Sequence, residues 1–184
     1  MRVPFPVIAP ALSLAVLIGA DAAGAETVAQ SFKDVCMLNG PGPAAVTTAA
    51  ASHGWKNGDA SGSPIAGFTV DTKVSRTTHI GGANVTLFAW HGAKGAIQAD
   101  ECQVEASKAS FEEVRDAVAS DLSMQPQQVL ADKAVFQHSV KDGAFQGIAD
   151  KSGFDAAAGA GGLHLLTVKK NGAGVFVSLL KIHS

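Results

Sequence analysis

The chain has 184 residues, 47% of them hydrophobic and only 16% charged, with a formal net charge of −2. It has no basic stripe and no Tyr, and Lys169-Lys170 and Lys73/Arg76 stand isolated, which excludes a nucleic-acid surface. Two cysteines without a Cys-x-x-Cys motif fit neither a Cys-rich metal module nor a redox dithiol.

Arg2, the apolar run Val3 to Ala20 and the small-x-small Ala23-Gly24-Ala25 read as an export signal, residues 1–25, cleaved before Glu26. Pro4, Pro6 and Pro10 leave too short a core for the ~20 apolar residues of a membrane span. No Cys follows the run, which argues against a lipid anchor. The expectation is one periplasmic or secreted domain over residues 26–184, with no stable membrane span after processing.

Glu26 to Leu38 is the first expected helix, ended by Asn39-Gly40-Pro41-Gly42-Pro43. Ala44 to His53 is a short Ala-rich helix closed by Gly54, with Trp55 covering its end. Residues 57–64 lack any hydrophobic pattern and read as a loop. Phe68, Val70, Thr72 and Val74 then alternate as a strand, and after Gly81-Gly82 the stretch Val85 to Trp90 is apolar on both faces. Gly92 to Gly95 is expected to turn the chain into a strand over Ile97–Ser107. Ser110 with Glu113 forms a capping box ahead of the stripe Phe111, Val114, Val118 and Leu122.

Ala134 to Val140 and Ala144 to Ile148 read as strands around the loop Lys141-Asp142-Gly143. Asp150 to Gly162 reads as a small-residue loop. Asn171-Gly172 predicts a type I′ hairpin pairing Val168 with Val175 and Leu166 with Val177. Ser31-Phe32-x-x-Val35 and Ser110-Phe111-x-x-Val114 echo each other; two helices starting with the same capping logic are the preferred explanation and a duplicated helix-plus-sheet unit is the alternative. The whole order predicts an α+β fold, an antiparallel sheet of about six or seven strands with helices packed on one face.

Val28, Phe32, Val35 and Cys36 share one helical face. Cys102, Val104 and Ala106 alternate with Glu101, Gln103 and Glu105, putting the second thiol on the buried face of a strand. A helix laid on the sheet would join Cys36 to Cys102 as one disulfide, as an exported protein allows; two buried free thiols are the alternative.

Six histidines, His53, His79, His91, His138, His164 and His183, show no His-x3-His spacing, so no metal site and no cofactor is expected. His138 and His164 fall on apolar strand faces. His91, expected at a strand end beside a turn, and its neighbour Trp90 are the candidate functional residues. Gly-x-Ser-x-Gly and His-Glu-x-x-His are absent, so no catalytic residue is assigned. Gly159-Ala160-Gly161-Gly162 runs into a strand rather than a helix, unlike a phosphate-cradling loop.

Phe32-x3-Cys36, a Pro, an Ala-rich helix and Gly54-Trp55 resemble the start of a group of small exported proteins of Gram-negative bacteria. Cys102, the helix Phe111–Leu122 and the turn Lys170–Ala173 stand where that pattern would place them. The resemblance implies a compartment and a fold type and carries no catalytic residue. The expected function is a non-enzymatic binding or interaction domain for a small apolar ligand or an envelope protein. A periplasmic hydrolase using a His with Asp/Glu partners and an inhibitor of a secreted enzyme, presenting loop 57–64 or 150–162, are the alternatives.

Overall fold

A computed structural model describes residues 27–59, 62–142 and 144–183. The expected leader and its cleavage point lie outside them.

Helix α1 (27–37) begins as an α-helix and widens at Lys33–Met37 into a π-helical turn, where Leu38 N–H reaches the Lys33 carbonyl at 3.0 Å. The wider turn lets three consecutive residues, Val35, Cys36 and Met37, all face inward. Helix α2 (Pro43–Ser52) starts with Pro at its first position, where no intrahelical N–H bond is needed. It ends in a Schellman motif: Gly54 N–H bonds the Ala51 carbonyl and Trp55 N–H the Ala50 carbonyl, both at 3.0 Å. Trp55 is buried over that end. Helix α3 (Phe111–Leu122) is capped by Ser110, whose hydroxyl accepts from Glu113 N–H, and buries Phe111, Val114, Val118 and Leu122.

All strands pair antiparallel in one sheet ordered β1-β2-β3-β4-β9-β8-β6-β5, with β7 also on β6. The strands are β1 (Lys56–Asn57), β2 (Thr69–Ile80), β3 (Ala83–Lys94), β4 (Ile97–Ala106), β5 (Gln128–Val129), β6 (Lys133–Lys141), β7 (Ala144–Gly147), β8 (Leu163–Asn171) and β9 (Gly174–His183). The architecture is α+β as expected. The count of nine exceeds the six or seven expected because β1 and β5 have two residues each, too short to leave a periodic pattern. Helices α1, α2 and α3 share one face and bury one core with Leu87, Cys102, Val104, Phe136, Leu166, Val177 and Leu179. Cys36 and Cys102, both fully buried, form the disulfide, with Cα atoms 5.7 Å apart and a sequence separation of 66.

Two turns differ from expectation. Strand β3 runs through Gly92 to Lys94 and turns at Gly95-Ala96. Gly92 serves close approach instead, since a Cβ there would lie 2.5 Å from the Thr69 carbonyl oxygen. The last hairpin turns at Gly172-Ala173, with Asn171 opposite Gly174, so Val168 pairs with Val177 and Leu166 with Leu179. Gly172 has φ +58° while Ala173 is not among the described positive-φ residues, the pattern of a type II′ rather than a type I′ turn. Each partner moved by two residues, so the apolar face survived the change of register.

Residues 150–162 are not a loop. Helix α4 (Lys151–Gly159) starts where the Asp150 carboxylate accepts from Gly153 N–H at 2.8 Å and Ser152 Oγ at 2.9 Å. It meets β8 and β9 but fully buries no residue, so no apolar stripe announced it.

The sheet is built twice over from one plan. Helices α1 and α2 precede the meander β2-β3-β4, helix α3 precedes β6, β8 and β9, and β4 and β9 meet at the centre. Both inner hairpins turn on Gly-Ala, with Gly95 at φ +62° and Gly172 at +58°. Phe32 and Phe111 of the echoed motif both enter the one core. Shared capping does not explain that echo, because Ser31 lies inside α1 whereas Ser110 caps α3.

The face opposite α1, α2 and α3 carries a second, smaller apolar cluster of Phe88, Trp90, Ala99 and Leu180, flanked by Phe68, Val70, Leu165 and Ile182. Residues 62–68, which form no helix or strand, strap across its β3–β4 part. Over β8 and β9 the same face leaves Leu165, Thr167, Phe176 and Ile182 partly exposed. Among the described residues no helix is long and apolar enough to cross a membrane.

Candidate functional site

Because β3 turns at Gly95-Ala96, His91 falls directly opposite Asp100. The same row continues across the sheet through Lys181 on β9, His164 on β8 and His138 on β6. Every one of these positions belongs to the helix-bearing face, at the end where α2 begins. Polar side chains thus replace the apolar ones of the neighbouring row, Ala89, Cys102, Leu179, Leu166 and Phe136.

Asp100 is the hub. One carboxylate oxygen meets His91 Nδ1 at 2.9 Å and the other meets His183 Nε2 at 2.8 Å. An ionised carboxylate only accepts, so each imidazole donates from the bonded nitrogen. That leaves His91 Nε2 and His183 Nδ1 as the lone-pair nitrogens of the neutral rings. The His91 and His183 side chains are 31% and 30% exposed, against 18% for Asp100. Asp71 lies 4.0 Å from His91 Nε2. A Cβ on Gly42, the N-cap of α2, would sit 3.4 Å from an Asp100 oxygen, so the carboxylate also faces the positive end of that helix.

Farther along the row the environment turns apolar. His138 is fully buried, stacks on His164 at 5.2 Å and meets the Phe145 ring edge-on. Neither of its ring nitrogens has a hydrogen-bond partner among the described residues. Burial, followed by the neighbouring His164, pushes its pKa down to about 3. His164 is also lowered, chiefly by burial, although its contact with the Gly162 carbonyl at 3.1 Å opposes the shift.

Of the two expected functional residues, the structure gathers only His91 into this row, and from mid-strand rather than a strand end. Trp90 points to the opposite face, is fully buried, and donates from Nε1 to Glu101 at 2.8 Å. Glu101 and Gln103, whose alternation suggested a solvent face, are themselves buried there. His53 and His79 are exposed and lie apart from the row. Sequence reasoning passed over Asp100 and His183. Counting back from a two-residue turn at Gly95-Ala96 would have found Asp100, whereas His183 joins it only through the β4–β9 pairing.

Among the described residues no group of three or more His, Cys, Asp or Glu side chains is arranged to hold a metal ion. No protein family, characterised protein or solved structure matches the chain.

Proposed function

We propose that this protein is an exported, disulfide-stapled domain of the Gram-negative envelope that binds a small apolar ligand or an apolar partner surface without catalysing a reaction. One observation carries the binding role: Leu165 and Ile182 lie partly exposed on the face opposite α1, α2 and α3, packed against the apolar cluster around Leu180, with Phe176 partly exposed farther along β9. Antiparallel sheets commonly leave one face wet, but that face is then polar. Here Leu165, Leu180 and Ile182 form an apolar patch on two central strands, bordered by Thr167 and Ser178, the composition of a recognition surface. The disulfide suits an oxidising compartment, which agrees with the export signal.

The test is titration of the processed protein with a fluorescent apolar probe and with envelope extract. Saturable binding that Phe176→Asp and Leu165→Asp abolish supports the reading. Probe binding that neither substitution alters rejects this face.

The His91–Asp100 pair favours a second reading, a hydrolase in which Asp100 orients His91 as a general base toward water. Hydrolysis of chromogenic esters that disappears in His91→Ala would favour it over binding. The inhibitor alternative would present Gly62 and Ser63, which lie against Phe88 and Gln103, or the helix 151–159.

A further inference from the structure

The strap over β3 and β4 lies on a buried ionisable group. Gly62 lies flat on the Phe88 ring, so close that a Cβ would fall 2.1 Å from Cγ and Cδ1. The Ser63 carbonyl accepts from Gln103 Nε2 at 3.3 Å, and Phe68 packs on Trp90 with ring centroids 5.5 Å apart. Beneath this roof the Glu101 side chain accepts from Trp90 Nε1 and is also bonded by the Gln103 and Ser178 side chains. Gln103 therefore ties Glu101 to the strap. Only 4% of Glu101 is exposed, and it has no ion-pair partner among the described residues.

We infer that residues 62–68 are a lid over half of the apolar binding face, latched through Gln103 and released when Glu101 carries its charge beneath it. This rests on the face opposite α1, α2 and α3 being the binding face proposed above. Opening uncovers Phe88, Trp90 and Val70 and joins them to the strip on β8 and β9.

The direction follows from desolvation. Burial raises the Glu101 pKa despite its three hydrogen bonds. The closed state therefore holds a proton more tightly than an open, hydrated one, and is favoured at low pH. As pH rises through the closed-state pKa, the desolvated carboxylate favours opening. The charges facing Glu101 are few. Lys73 on β2 lies across Trp90 in the same row, Glu105 follows Gln103 on β4, and Lys94 at the end of β3 reaches the strap at Gly67. Neither β9 beside it nor residues 62–68 add a charge.

Hydrogen exchange of segment 62–68 in the processed protein tests the lid without any ligand. The parent and Glu101→Gln are compared at each pH, which cancels the intrinsic pH dependence of exchange. The parent-to-variant rate ratio is expected to be lowest at pH 4.5 and to rise as the pH increases toward 8, the direction that the raised Glu101 pKa dictates. A ratio that stays constant with pH overturns the proposal. Gln103→Leu, with its disulfide and circular dichroism intact, should exchange fast at both pH values, and parent-like exchange in it also overturns the latch. Apolar-probe binding lost on Phe176→Asp reports separately on the binding face, so the lid and that face can fail independently.

Discussion

His91 and Asp100 face each other directly across the β3–β4 ladder, Nδ1 to carboxylate oxygen at 2.9 Å, and His183 closes on the other oxygen from β9. The bridge ties three strands together at the start of α2. Asp100→Ala is expected to cost about 1–2 kcal/mol, for two partly exposed charge-assisted hydrogen bonds. Urea unfolding at neutral pH measures it, and His183→Ala should recover only part of that loss.

His138 makes the fold acid-sensitive. Its pKa is about 3 in the fold against 6.5 for an unperturbed imidazole, so the folded state binds this proton less tightly than the unfolded chain. The associated stability is complete above about pH 6.5 and drains away as pH falls toward 3, by on the order of a few kcal/mol. His138→Leu should flatten that part of the stability-versus-pH curve. An unchanged slope between pH 6.5 and 4 would contradict the assignment.

Reducing the Cys36–Cys102 bond should lower the melting temperature by several degrees. The expected loss is about 2–4 kcal/mol, since the bond closes a long loop in the unfolded chain. Thiol alkylation of the unfolded, unreduced protein should label no cysteine.

Gly172→Val places a β-branched residue at φ +58°, at a cost of roughly 1–3 kcal/mol. Gly162→Val meets nothing nearer than the Ala157 carbonyl at 3.9 Å and should be nearly silent. Paired denaturant curves compare them, and coincident midpoints would refute the strained turn.

Where punctuation and periodicity agree, local structure was readable from the residues. Pro43 and Gly54 bracket α2, Ser110 opens α3, and the facing apolar sides of Cys36 and Cys102 anticipate their bond. Helix α4 escaped because Gly153 and Gly159 interrupt its alanines and no apolar stripe marks a buried side. The candidate site escaped for a different reason. Gly92 reads as a turn residue, yet its missing side chain makes room for the Thr69 carbonyl. Ending β3 there hid the pairing of His91 with Asp100. Buried Glu101 and Gln103 were misread because alternation reveals which residues share a face, not what lies over it.

The meeting of β4 and β9 in the middle of the sheet has a kinetic consequence. Strand β9 is the last strand in the sequence, yet it lies next to β4, about seventy-five residues earlier across the ladder. Until it docks, β4 is an open edge and the two halves share no sheet hydrogen bonds. Assembly should therefore finish slowly and at the centre, and a chain cut before Gly174 should aggregate rather than fold as a smaller version of the whole.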